Sequence, residues 1–304
     1  MRARRHDNTW SVACRVSNEP ECGSRCSARA AHRGHALAAA RRRPGVRELR
    51  RAAAHPCRNF PLDILYGRDD DIPEYVADGV VDLGVVGRNI IVERNCPVEE
   101  LAPLGFGYCA LVVAVPSDSN VQDPSELGGC RIATSYPHSA RRYFERLGVE
   151  IELVELAGSV EVAPALGVAA GIVDLTATGS TLVINDLRRI GTVLESEAVL
   201  VANPDALQRP NVRQDIDRLV MRIGSLLAGR QYKYIMMNVP RDALPAVQSI
   251  TPGLKAPTII PLADPRWSAV HTVIREDEFW DVIEKLRAAG ASEILVNPIE
   301  KLLL

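Results

Sequence analysis

Lysine is nearly missing from this chain. Only Lys233, Lys255, Lys285 and Lys301 occur in 304 residues, while arginine and alanine abound, as in a protein read from GC-rich coding DNA. No glycine-rich loop ends in Gly-Lys-Ser/Thr, which excludes the nucleotide P-loop. Long apolar runs are absent as well, so a membrane-spanning helix is not expected. Cysteine pairs at metal-binding spacing are lacking. Cys22 and Cys26 form one pair with no second, and Cys96, Cys109 and Cys130 are scattered, so no zinc site and a reduced, cytoplasmic setting are expected. The net charge is only −2, which argues against nucleic acid as the main partner. That balance conceals an asymmetry, because residues 1–57 carry a net +9 and the remainder about −11.

From residue 59 onward, short apolar runs alternate with helical patterns, which indicates an α/β architecture in about two domains or more. Strands are expected over 60–67, 80–87, 108–115, 131–134, 151–156 and 198–202, with helices opening at Asp70 or Asp71 and at Gly87. Further helices are expected over 135–147, 160–170, from about 181, and over 212–227. The last seventy residues read β-α-β-β-α-β, the ferredoxin-like plan.

The stretch 171–182, GIVDLTATGSTL, organises the rest. An apolar strand ends in Asp174, a loop of small residues follows, and a helical pattern begins near Leu182. A helix start offers unpaired N–H groups and partial positive charge, and Gly179 lets backbone amides approach a ligand closely. Thr176, Ala177, Thr178, Gly179, Ser180 and Thr181 thus suit a phosphate, and Asp174 suits ribose hydroxyls. An ordinary βα turn rich in Ser and Thr is the competing reading. Arg68, Asp69, Asp70 and Asp71 form a cluster that suits a hard cation or a nucleotide, or else a solvated helix start. Ser135 and Tyr136 bring a hydroxyl and a ring to a strand end, where adenine can stack, although helix capping also accounts for Ser135. Glu161 is a candidate Mg²⁺ or ribose ligand, or a first-turn acid favoured by the helix dipole.

As a set, RDDDIPEYVADGVVDLGVVGRN, RIATSYPHSARRYFERLGV, GSVEVAPALGVAAGIVDLTATGSTL, KYIMMNVP and FWDVIEKLRAAGASEILVNPIEKLL resemble the ATP phosphoribosyltransferases of histidine biosynthesis, in their long form, over residues 58–304. The resemblance implies two α/β domains like those of periplasmic binding proteins, forming a cleft. Residues 58–108 with 198–230 would make domain I and 109–197 domain II, with a ferredoxin-like regulatory domain over 231–304. It implies condensation of ATP with phosphoribosyl pyrophosphate, with Mg²⁺, to phosphoribosyl-ATP and pyrophosphate. Asp174 and Glu161 would be the catalytic and metal-binding carboxylates. Arg68, Asp70, Gly87, Asn89, Ser135 and Tyr136 would lie on the ATP side. Histidine would inhibit through the C-terminal domain, and the chain would be a homo-hexamer with a dimer alternative.

Residues 1–57 match neither the buried first strand nor the GRL-type loop with which that family begins. Their apolar residues keep no period. Three readings account for them: a transit leader, a basic arm, or an out-of-frame segment that forms no native first strand. The last accords with the abrupt start of the family pattern near residue 58. A catalytically impaired relative, serving as a regulatory or structural subunit, is therefore the alternative to an active enzyme. A binding module of the periplasmic type is disfavoured by the phosphate loop.

Overall fold

The computed structural model describes residues 10–16, 55–251 and 253–304. They divide into two units, Met1–Ile216 and Asp217–Leu304. The first begins with β1 (Trp10–Val16), β2 (His55–Pro56), β3 (Leu62–Arg68), α1 (Ile72–Ala77), β4 (Leu83–Gly87), α2 (Arg88–Arg94) and β5 (Glu99–Pro103). It continues with β6 (Cys109–Pro116), β7 (Arg131–Thr134), α3 (Pro137–Leu147), β8 (Glu152–Glu155) and β9 (Gly171–Thr176). Then come α4 (Ser180–Ile184), β10 (Leu187–Ser196), β11 (Ala198–Ala202) and α5 (Pro204–Leu207). Helix α6 (Pro210–Gln231) runs from the first unit into the second. The second adds β12 (Tyr232–Pro240), α7 (Leu244–Ile250), β13 (Thr258–Pro261), β14 (Trp267–Arg275), α8 (Phe279–Ala288) and β15 (Ser292–Pro298).

Two sheets make the first unit two-lobed. One runs β2-β3-β1-β4-β11-β5 and the other β10-β6-β9-β7-β8. The chain passes from the first sheet to the second after Pro103 and returns between Ser196 and Ala198. In the second sheet β7 pairs parallel with β8 and β9, while β6 pairs antiparallel with β9 and β10. Strand β6 is buried on both faces. Val112 and Ala114 join one core cluster, and Leu111, Val113 and Val115 the other, as strand alternation dictates. Strand β9, which carries Asp174, lies in the middle of this sheet between β6 and β7.

The second unit is the expected ferredoxin-like domain. Its strand order is β13-β14-β12-β15, with every pair antiparallel. Ile235, Met237 and Val239 point at two-residue spacing into a core closed by Val247 of α7 and by Ile283 and Leu286 of α8.

Four local expectations are corrected. No helix covers 160–170. Val160–Val162 is a single 3-10 turn, because Pro164 lacks the N–H a helix needs and Gly167 adopts φ +69°. Residues 187–196 form a ten-residue strand that the sequence pattern hid. Its register shifts between Arg189 and Gly191 and again between Thr192 and Leu194, which breaks the alternation. Glu99–Pro103, a short polar edge strand, also escaped. The fourth correction concerns residues 1–57. Trp10–Val16 does supply a central strand, antiparallel to both β3 and β4, and His55–Pro56 pairs on the far side of β3. Residues 1–9 and 17–54 lie outside the described residues, and the readings made for them with them.

Strand β1 is tied in by more than its ladder. Ala13 is fully buried in the cluster of Ile72, Val76, Val86 and Val201. The backbone N–H of Val16 donates to Asp82 Oδ2 at 2.9 Å, and Asp82 also pairs with Arg209. Replacing Ala13 by Asp puts a carboxylate into this dry site. The expected cost is about 3 kcal/mol or more, read as a lowered urea midpoint of the first unit. An unchanged midpoint would show that β1 contributes nothing to the fold.

Candidate active site

The β9–α4 connection is built as a strand, a tight loop and a helix start. Gly171 packs so closely that an added Cβ would lie 2.9 Å from the carbonyl oxygen of Ala114, so only glycine lets β9 sit against β6. At the loop's end Gly179 adopts φ +81°, the left-handed region, with open space where a side chain would be. Its N–H donates to Thr176 Oγ1 at 2.9 Å, and the hydroxyls of Thr178 and Ser180 lie 3.0 Å apart. The first-turn amides of Ser180, Thr181 and Leu182 are those for which a helix supplies no internal acceptor. Thr176, Ala177, Thr178 and Gly179 line a cleft of about 560 Å³. Ser180 and Thr181, also expected at the phosphate, are exposed at the start of α4.

Asp174 is half-buried, and burial pushes its carboxyl above the ordinary carboxylate range. The N–H of Leu175, donating to Oδ1 at 2.8 Å, acts against that shift, and the nearby charge of Glu161 adds to it. Glu161 sits in the Val160–Val162 turn and is partly exposed. The sequence-expected pair of carboxylates is thus brought together. Among the described residues, no group of three or more His, Cys, Asp or Glu gathers as a metal cage.

Tyr136 joins the two lobes. Its side chain packs against the core cluster of the first sheet and against one of the clusters of the second. Burial first, and then the charges of Asp174, Asp70 and Asp69, push its phenol well above the ordinary range. One ring therefore lies within electrostatic reach of carboxylates from both lobes. Ser135 does not cap a helix. Its hydroxyl donates to the carbonyl of Leu156 at 2.6 Å. Arg68 and Asp70 are exposed at the end of β3, and Asp70 faces Arg94 at 3.7 Å, a solvated pair worth little by itself. Asp71 occupies the N-cap position of α1 but makes no side-chain cap bond.

Gly87 and Asn89 have a local explanation. An added Cβ at Gly87 would collide with Asn89 Oδ1. Asn89 is buried, its N–H donates to Ser196 Oγ at 3.0 Å, and Ser196 Oγ donates back to Asn89 Oδ1 at 2.9 Å. These two expected ATP-side residues therefore form part of the joint between the lobes.

Sequence reasoning missed several groups at the site. Cys109, Arg188, Arg189 and Ser196 also line the cleft. The Arg188 guanidinium is held by the carbonyl oxygens of Ser119 and Val121, and Arg189 meets the Thr192 hydroxyl. Both arginines belong to the bulged strand β10. Glu93, whose carboxylate accepts from the backbone of α3, was also missed, although it stands one helical turn after Asn89 on the same face.

Comparison with known proteins is consistent along most of the chain. A family model described as ATP phosphoribosyltransferase matches residues 68–225, and one described as HisG, C-terminal domain, matches residues 229–301. The ATP phosphoribosyltransferase of Cytophaga hutchinsonii is 43% identical over 244 residues, 80% of this chain and 85% of that protein. That of Phocaeicola vulgatus is 43% identical over 246 residues, 81% and 86% of the two chains. Among solved structures, the ATP phosphoribosyl transferase (HisG:HisZ) complex from Thermotoga maritima matches at 28% identity. That match has a TM-score of 0.45 and covers 51% of this chain and 77% of that one.

The raised carboxyl of Asp174 has a stability consequence whose sign is fixed. A folded-state pKa above the unfolded one means that the ionised form opposes folding. The cost is absent below the ordinary carboxylate range and present once the pH exceeds the raised value. Asp174→Asn should therefore raise the urea midpoint at about pH 7 and lose most of that advantage at about pH 3.5. A midpoint lowered equally at both values would contradict this account.

Proposed function

The chain belongs to the ATP phosphoribosyltransferase family, and from that we propose how its residues carry the reaction. ATP and phosphoribosyl pyrophosphate condense to phosphoribosyl-ATP and pyrophosphate, the first step of histidine biosynthesis. The observation that supports this placement of substrates best is the half-buried Asp174 at the head of the Thr176–Thr181 loop. The loop amides and the hydroxyls of Thr176, Thr178, Ser180 and Thr181 take the 5-phosphate, with Ala177 and Gly179 leaving the backbone accessible. Asp174 accepts from the ribose hydroxyls and, with Glu161, lies where positive charge develops as the anomeric carbon loses pyrophosphate.

Adenine N1 carries no proton, so it needs positioning rather than a strong base. Tyr136 and Ser135, with Arg68 and Asp70 across the joint, form the ATP side, and Gly87 and Asn89 shape it from behind. The Asp174 and Glu161 carboxylates are hard oxygen donors whose mutual repulsion a cation would relieve, which fits Mg²⁺. Two protein carboxylates are enough, because that ion commonly keeps water and substrate phosphate as its other ligands. Held by these two carboxylates, Mg²⁺ would supply neutralisation of the charge that grows on pyrophosphate.

Turnover of the full chain with ATP, phosphoribosyl pyrophosphate and Mg²⁺, followed as pyrophosphate release, tests the reading. Gly179→Val, which strains a left-handed position and fills the open space beside the loop amides, should weaken phosphoribosyl pyrophosphate binding at least tenfold, about 1.4 kcal/mol. Unaltered binding in titration calorimetry would refute the loop assignment. An intact fold with no turnover would favour the impaired or regulatory relative.

Regulation belongs to the same proposal. The ferredoxin-like domain binds histidine and biases a homo-oligomer, a hexamer with a dimer alternative, between two states. Removing residues 232–304 should abolish inhibition by histidine. Inhibition that persists in the shortened chain would assign the effector site elsewhere. The five described cysteines are free, in keeping with a reducing cytoplasm, and among the described residues no helix is long and apolar enough to cross a membrane.

A further inference from the structure

Helix α3 begins directly after Tyr136, yet the residue at its N-cap position, Tyr136 itself, makes no side-chain cap bond. Its first amides are satisfied from elsewhere. Glu93 Oε1 accepts from the N–H of His138 and Oε2 from the N–H of Ser139, both at 2.9 Å. Glu93 belongs to α2, which follows β4 of the first sheet and sends Ile90 into that sheet's core, whereas α3 follows β7 of the second. The cap therefore crosses the joint between the lobes. It places a full negative charge against the positive end of an eleven-residue helix, through two charge-assisted bonds.

The segment so held is short and fixed at both ends. Before Tyr136, the hydroxyl of Thr134 accepts the Tyr136 N–H at 2.8 Å while donating to the carbonyl of Val173 at 2.7 Å. After it comes the Glu93 cap. Between these anchors Tyr136 packs against both cores. Asn89 and Glu93 share a face of α2 at four-residue spacing, and both reach the second lobe. We propose that Glu93 is a positioning residue for ATP: by capping α3 across the lobe joint it fixes Ser135 and Tyr136 in the place where the nucleotide is recognised. The inference rests on the assignment of Ser135 and Tyr136 to the ATP side. The loop of residues 176–181 is held by the Gly179–Thr176 and Thr178–Ser180 bonds, by Asn185 on the Thr181 carbonyl and by the pairing of Thr176 with Ala110, none of which involves Glu93, so the two substrates respond differently.

The test uses the full chain, with Mg²⁺, in titration calorimetry against ATP and against phosphoribosyl pyrophosphate separately. Glu93→Gln keeps the shape and turns one acceptor into a donor facing an N–H. Glu93→Ala removes both acceptors. Both should raise the Kd for ATP, by at least fivefold in the Ala variant, with the Kd for phosphoribosyl pyrophosphate within twofold of the parent. Amide hydrogen exchange at His138 and Ser139 should accelerate in both. A lower melting temperature with unchanged ATP affinity would reduce Glu93 to a structural cap and overturn the proposal, as would equal weakening of both substrates. If the parent chain itself does not bind ATP, the substrate reading falls first and this inference with it. Should Glu93→Ala not fold, Glu93→Gln decides alone.

Discussion

A buried reciprocal hydrogen bond between Asn89 and Ser196 is the constraint from which the site follows. Ser196 ends β10 in one sheet, and Ala198 begins β11 in the other, so the chain crosses between lobes at this point. In a dry joint a hydroxyl and an amide that serve each other cannot be separated without leaving both unpaired, at about 1–3 kcal/mol for each group. Around the bond the same helix α2 makes its other ties. Arg88 donates to Glu100 at 2.6 Å and lies 3.7 Å from Glu197, and its backbone N–H donates to the Glu197 carbonyl at 3.0 Å. Gly87 is glycine because Asn89 Oδ1 occupies the space of a side chain. One seven-residue helix thus fixes the lobes of the first unit against each other, and Tyr136 is held within that joint.

The parts of this architecture written in local patterns were legible in the sequence. The strand-loop-helix at 171–184 announced itself because an apolar run, a glycine and several hydroxyls are sufficient to specify it. The ferredoxin-like order of the C-terminal unit followed from its succession of strand and helix patterns, and in the fold Ile235, Met237 and Val239 alternate into one core with Ile283 and Leu286, against which Phe279 packs. What stayed hidden depends on partners far away in sequence. Glu93 reads as a surface acid until α3 is laid against it, and Ser196 reads as a loop residue until its strand, twice bulged, is seen.

Strand β1 was hidden for a different reason. Its neighbours β3 and β4 are joined by a helix and run the same way, each antiparallel to the strand between them. Such a slot is apolar on both faces and offers unpaired N–H and C=O groups on both sides, so it rewards any short stretch that can bury small side chains. Ala13 and Cys14 are small enough, and Val16 is anchored through Asp82. Trp10, Val12, Cys14 and Val16 do alternate at strand spacing, but over only seven residues of a long Arg-, Ala- and Ser-rich stretch, which is why composition obscured residues 10–16. The family match begins at residue 68, beyond this strand, so the slot is filled here by sequence that the match leaves out.

The site itself departs from what stability alone would select. Asp174 is carried into a half-buried position against the charge of Glu161, and a buried phenol lies within reach of carboxylates from both lobes. In the ligand-free fold the Asp174 carboxylate is poorly solvated and repelled by Glu161, so its ionised form opposes folding at neutral pH. Ribose hydroxyls, a cation and an oxocarbenium-like centre would each relieve that strain, and the relief would grow as positive charge develops during reaction. On the proposed placement of the substrates, the cost of holding Asp174 in this position would be the preorganisation that favours the transition state over the bound substrate. The buried bond at Asn89 and Ser196 and the crossing cap at Glu93 supply the rigidity that keeps these charges from relaxing apart.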